Sequence, residues 1–114
     1  MSDCLFCRIA RGEIPAHKVA ESAHALAFRD IQPQAPTHVL VIPKSHVADS
    51  AAALGASNGA LLGELFALAA DVARAEKLER GWRLVTNVGA DGGQSVPHLH
   101  FHLLGGRALQ WPPG

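Results

Sequence analysis

The stretch His98-Leu99-His100-Phe101-His102-Leu103-Leu104 alternates imidazole with apolar side chains and closes on an apolar pair. In a β-strand successive side chains point to opposite faces. This spacing therefore puts the three histidines on one face and Leu99, Phe101 and Leu103 on the other. Neighbouring histidines then stand roughly 6.5–7 Å apart along the backbone. A helix would scatter them around its circumference. The segment predicts a strand over 98–104, apolar toward a core on one side and imidazole-lined on the other. Three imidazoles in register suit metal ligation, since neutral imidazole is a ready ligand. They equally suit acid–base or nucleophilic chemistry, since the group titrates near neutrality.

Just upstream lies Asn87-Val88-Gly89-Ala90-Asp91-Gly92-Gly93-Gln94-Ser95. Its glycines let backbone N–H groups approach an anion closely, and Gln94 and Ser95 add side-chain donors. Beside the imidazole face, such a loop suits a phosphate. No Gly-Lys-Ser/Thr occurs, so neither a P-loop lysine nor magnesium is implied.

Further out, Lys18 to Glu21 and Ala25 to Asp30 read as short strands joined at Ser22-Ala23-His24. His38 to Pro43 and Trp82 to Asn87 read as two more. A short helix is expected over Asp3 to Ala10, with Asp3 as N-cap, Leu5, Phe6 and Ile9 at helical spacing, and Gly12 beyond its end. A long helix is expected over Ser57 to Leu78. Leu61, Leu65, Leu68 and Val72 form its stripe, Leu62, Phe66, Ala69 and Ala73 flank it, and Arg80-Gly81 supplies the stop. With hairpin-length connections these elements give an α+β fold, an antiparallel sheet of about five strands with one long and one short helix.

At 114 residues, 48% hydrophobic and 18% charged, the chain is expected to form one globular domain over 1–114. Ten basic residues balance ten acidic ones, which is not the footprint of a nucleic-acid polymer binder. No run reaches the roughly 18 apolar residues of a membrane helix, and the opening residues lack a signal-peptide pattern. The expectation is a cytoplasmic protein without membrane attachment. Cys4-Leu5-Phe6-Cys7 has no thioredoxin-like surroundings. It reads as half of a tetrahedral zinc site needing two more ligands, or as two reduced thiols.

These stretches closely resemble the histidine triad (HIT) family, whose signature is His-x-His-x-His followed by two apolar residues. The nearer likeness is to its Hint branch, the purine nucleoside phosphoramidases. It runs through Gly12-Glu13-Ile14-Pro15-Ala16, Phe28-Arg29-Asp30-Ile31, Pro33-Gln34-Ala35-Pro36-Thr37-His38 and Val41-Ile42-Pro43-Lys44. It continues through Asp91-Gly92-Gly93-Gln94-Ser95, Gly105-Gly106-Arg107 and Trp111-Pro112-Pro113-Gly114. The resemblance implies that His100 is a nucleophile attacking the α-phosphorus of a nucleoside phosphoramidate or aminoacyl adenylate. A nucleotidyl-histidine would then be hydrolysed to a nucleoside monophosphate. His102 and the loop at Gly93 would donate to non-bridging oxygens. Ser95 would reach the leaving nitrogen, Gln94 would orient the phosphate, and His38 would support the triad from behind. Asp30 would accept from the ribose hydroxyls. Ile31, Phe6, Ile9, Phe28 and Asn87 would line a purine pocket.

The resemblance also implies a homodimer that continues the sheet across two subunits, with the long helices at the interface and Trp111 near the partner's site. Some bacterial members complete Cys-x-x-Cys with two histidines, which fall here on His46 and His98. With Cys4 and Cys7 these would hold a structural zinc, dividing His98 from the chemistry of His100 and His102. Two other functions compete. One is a dinucleoside polyphosphate hydrolase, from which the Trp111-Pro112-Pro113-Gly114 tail leans away. The other is a non-catalytic, zinc-stabilised nucleotide-binding module. His17 and His24 match no motif and are expected at the surface.

Overall fold

Alternating burial is realised in a five-stranded antiparallel sheet of order β1-β2-β3-β5-β4. The structure, a computed structural model, describes residues 4–114. The strands are β1 Lys18–Glu21, β2 Ala25–Arg29, β3 Thr37–Pro43, β4 Trp82–Val85 and β5 Phe101–Gly105. α1 spans Leu5–Ala10, and α2 spans Gly59–Ala75 after short 3-10 turns at Ala51–Ala53 and Ala56–Asn58. The Asp3 cap lies outside the described residues.

Central strands are covered on both faces. β3 is buried along its whole length, which its Val-Leu-Val-Ile run suits. One face carries Ala25, Ala27, Val39, Val41, Phe101 and Leu103 against Leu65, Leu68, Ala69, Val72 and Ala73 of α2. The other carries Leu26, Phe28, Leu40 and Ile42 against Phe6 of α1. The register Leu40↔His102 and His38↔Leu104 puts His38 and His102 on this second face. Asp30 follows the same parity just beyond β2. The site is thus built on the α1 side, and the long helix only supports the sheet from behind.

Three expected boundaries are corrected. First, the strand expected over 98–104 begins at Phe101. The backbone of the two preceding residues is bonded elsewhere: Leu99 N–H donates to the Ala48 carbonyl, and the His100 carbonyl accepts from Thr86 Oγ1 at 2.7 Å. The alternation of faces nonetheless persists, because Leu99 packs with the α2-side core. Second, α2 begins at Gly59 and ends well before Gly81. Lys77 takes a left-handed φ of 59°, while Leu78 N–H reaches Ala73 O and Lys77 N–H reaches Arg74 O. That pattern is a Schellman stop. Third, β4 ends at Val85, two residues short of Asn87.

Candidate functional site

Hydrogen bonds to groups that can only donate, or only accept, decide which nitrogen of each imidazole carries the proton. His100 Nδ1 lies 2.7 Å from the His98 carbonyl. A carbonyl accepts, so Nδ1 is protonated and Nε2 of the neutral ring is bare. The Gln34 backbone N–H donates to His38 Nδ1 at 3.0 Å. An amide only donates, so the neutral His38 ring carries its proton on Nε2. That nitrogen sits 2.9 Å from His102 Nδ1 and 3.4 Å from Asp30 Oδ2. His102 therefore accepts at Nδ1 and bears its own proton on Nε2. The rings of His100 and His102 stand 5.0 Å apart, nearly edge to face. The result is a bare imidazole nitrogen on one ring and an N–H donor on its neighbour.

Burial keeps His38 and His102 uncharged. It pushes His38 below the ordinary histidine range, against the opposing pull of Asp30. It pushes His102 down to about 4, helped by His100 and His38. Both rings are neutral at physiological pH, as the directed chain of donors requires.

His98 belongs to a second cluster. Its Nδ1 lies 3.2 Å from Cys4 Sγ and 3.5 Å from Cys7 Sγ, and His46 Nδ1 lies 3.5 Å from Cys7 Sγ. All four ligand atoms fall within 4.8 Å of one another. Tetrahedral zinc, with Zn–S near 2.3 Å and Zn–N near 2.0 Å, separates its donors by roughly 3.3–3.8 Å. The outer partners match as well. His98 Nε2 donates to the Pro43 carbonyl and His46 Nε2 to Asp49 Oδ1. Each leaves its Nδ1 bare toward the sulfurs, the orientation a metal-binding histidine needs. No disulfide joins Cys4 to Cys7, and the donor set is compatible with zinc. A second convergent group, Asp30, His38 and His102, is already linked by the protons just described.

The two clusters meet at Phe6. Its ring packs edge to face on His98 at 5.8 Å, on His100 at 5.0 Å and on Phe28 at 5.6 Å. Phe6 and Phe28 are buried, and Ile9 packs beside them, so together they floor the site. Ile31 is 94% exposed and Trp111 81% exposed. Asn87 is half-buried just past β4, while Gly93 and Ser95 lie exposed in the glycine loop.

Gln94 braces that loop. Its Oε1 accepts from Gly89 N–H, and its Nε2 donates to the carbonyls of Asp49 and Val96. Both amide hydrogens are thereby committed to backbone. The loop closes tightly at Gly92, where a Cβ would fall 2.4 Å from the Val88 carbonyl oxygen. Sequence reasoning missed Asp49, which links this loop to His46. Its spacing of three residues after His46 was the available signal. It also missed Arg107 as a contact of the Gln34 carbonyl.

A buried imidazole with a bare nitrogen, a neighbouring imidazole donor and a glycine-closed loop define a site suited to phosphoryl chemistry. Residues 11–109 match the HIT domain model, and the chain belongs to that family. An uncharacterised HIT-like protein of Synechococcus elongatus is 53% identical over 112 residues, spanning 98% of this chain and 97% of its own. The 14 kDa zinc-binding protein of Zea mays is 49% identical over 116 residues, spanning 99% of this chain and 89% of its own. Among solved structures, a HIT family hydrolase from Legionella pneumophila superposes with a TM-score of 0.94 at 54% identity. It covers 98% of this chain and 100% of that one. The fold is that of a HIT family hydrolase, consistent with nucleotide hydrolysis. No helix among the described residues is long and apolar enough to cross a membrane.

Proposed function

We propose that this protein is a nucleotide hydrolase acting on nucleoside phosphoramidates or aminoacyl adenylates. It would cleave the P–N or related α-phosphoryl bond and release a purine nucleoside monophosphate. The observation that carries this reading is the proton arrangement of the histidines. The His98 carbonyl leaves His100 Nε2 bare, and the His38 contact leaves His102 Nε2 protonated. A nucleophile thus stands beside a donor suited to a non-bridging phosphoryl oxygen.

In the first step His100 Nε2 bonds to the α-phosphorus. The bond to the leaving group breaks with its electron pair, and a leaving amine takes its proton from water at the exposed loop, where the Ser95 hydroxyl meets it. Charge on the phosphoryl oxygens is met by His102 Nε2–H and the backbone at Gly93. Water then attacks phosphorus and gives a proton to the hydroxide left when the amine was protonated, the P–N bond to His100 breaks, and the monophosphate leaves with His100 regenerated. His38 keeps His102 in its donor form. Asp30 receives the ribose hydroxyls. Phe6, Ile9 and Phe28 floor the base site, which Ile31 and Asn87 flank, and Gln94 holds the loop that faces the phosphate.

Cys4, Cys7, His46 and His98 would hold a structural zinc. With four protein ligands such a site would be closed and structural, and these residues would be held rigid under Phe6 and the His98 carbonyl. The zinc-binding relative from Zea mays supports this assignment. The chain acts as one HIT domain over 1–114 and pairs through the β4 edge and α2, where Trp82 and Phe66 are half-exposed. That arrangement would carry Trp111 toward the partner's site. Two unbridged cysteines among imidazoles suit a reducing, cytoplasmic setting.

The test is turnover of adenosine 5′-phosphoramidate. Wild type releases adenosine monophosphate, while His100→Ala binds that product with comparable affinity and releases none. A wild type inert toward every nucleoside phosphoramidate would sink the reading.

A further inference from the structure

We infer that Arg107 is a positioning residue for the His38–His102 pair. Its guanidinium clamps the Gln34 carbonyl, which holds the Gln34 N–H against His38 Nδ1 and so decides which nitrogen of each ring carries the proton. Arg107 and Gln34 are 73 residues apart in sequence. Arg107 Nη2 donates to Gln34 O at 2.9 Å and Nε to the same oxygen at 3.3 Å. Its Nη1 donates to Ala108 O at 3.0 Å. The guanidinium fork is thereby fixed at both ends, which a single-point lysine does not reproduce.

The turn that aims Arg107 is built for this approach. Gly106 has φ 92°, and a Cβ there would come within 2.8 Å of Pro36 Cβ. Only a glycine lets residues 105–107 lie so close against residues 33–36. That loop is stiffened from within: Gln34 Nε2 donates to Gln32 O, and Gln32 N–H donates to Asp30 Oδ1. Restraint at Gln34 therefore reaches both His38 and Asp30.

The consequence follows from the chemistry of imidazole. The two neutral tautomers lie close in energy, so the partners choose between them. The groups facing His38 are Asp30 on the end of β2, His102 on β5 with His100 beyond it, and the Gln34 amide. Arg29 and Glu76, nearby at this end of the sheet, are paired with each other. The Gln34 amide is a donor that cannot reverse, at 3.0 Å from Nδ1; Asp30 Oδ2 favours the same tautomer through a longer contact of 3.4 Å at Nε2. One ordinary hydrogen bond biases such a two-state choice by roughly threefold to tenfold. With that amide displaced, His38 can turn its proton to Nδ1 and accept at Nε2. The His102 proton then moves to its own Nδ1, and the donor toward the substrate is lost.

The primary test is the ring-nitrogen chemical shifts of His38 and His102 in nitrogen-15-labelled protein near neutral pH. Wild type is expected to show His38 bare at Nδ1 and protonated at Nε2. Arg107→Ala should shift both rings toward mixed tautomers, and Arg107→Lys, with a single donor, should fall between. Gly106→Ala perturbs the same contact from the other side, by displacing Pro36, and should produce the same ring response. A His38 pattern unchanged in Arg107→Ala, or a wild type protonated at His38 Nδ1, overturns the inference. A second arm rests on the hydrolase reading above. Arg107→Ala should lower kcat by about tenfold with KM altered less than about twofold, since the interaction matters in the transition state. An unchanged kcat overturns the positioning role. A ring response in a protein that turns over no phosphoramidate would instead refute the hydrolase reading and leave the clamp standing.

Discussion

Acid should destabilise this protein through His102 over a defined pH window, and replacing His102 with glutamine should flatten that dependence. An unfolded histidine titrates near 6.5, whereas burial holds His102 at about 4 in the native state. Above pH 6.5 both states are neutral at this position and it contributes nothing to pH dependence. Between 6.5 and 4 the unfolded chain binds a proton that the native one refuses, so stability falls as pH falls. Below 4 the loss is complete. Integrating the linkage between those two values gives a loss of about 1.2 kcal/mol from pH 7 to 5.5, growing to about 3 kcal/mol by pH 4. The assay is urea unfolding of zinc-loaded wild type and His102→Gln at a series of pH values from 7.5 to 5. His38 is also held below its ordinary value, by burial first, and it is present in both proteins. The difference in slope therefore reports His102 together with the change its loss makes at its partner His38. Wild-type stability should drop by about 1.2 kcal/mol more than the variant's between pH 7 and 5.5. Parallel curves would refute a neutral, buried His102, and with it the directed chain from Gln34 through His38.

Three further outcomes follow from the packing and the metal cluster. Wild type should copurify with zinc, and a Cys4→Ser, Cys7→Ser double variant should not, measured by elemental analysis. A loss of even about 1 kcal/mol should lower its melting temperature by roughly 4 °C or more; unchanged metal content and melting temperature would remove the zinc assignment. Lys77→Gly should raise unfolding free energy by about 1 kcal/mol, because Lys77 closes α2 at φ 59°, a conformation costly to a residue with a Cβ. Leu103→Ala should cost about 3 kcal/mol in denaturant unfolding, since Leu103 is fully buried between Val39 and Leu84.

The strands and helices were legible wherever their reasons are local. Alternation from Phe101 to Leu103 and the stripe of Leu65, Leu68, Ala69 and Val72 reflect periods of two and 3.6, written along the chain itself. The start of β5 was not legible. It depends on Ala48 and Thr86 supplying partners to Leu99 and His100 from distant segments. Nor was the end of α2, because a lysine there takes the conformation expected of glycine.

The same division runs through the site. Periodicity in the sequence assigns three imidazoles to one face, and the resemblance marks Cys4, Cys7 and His46 as companions of His98. Neither tells which nitrogen of any ring bears a proton. Only the fold brings Gln34 N–H to His38, the His98 carbonyl to His100 and the Pro43 carbonyl to His98. A tautomer is decided by whichever donor or acceptor stands within about 3 Å, and here those partners are backbone groups. Every residue but proline carries the same donor and acceptor, so sequence does not distinguish them; tertiary structure alone selects which one arrives.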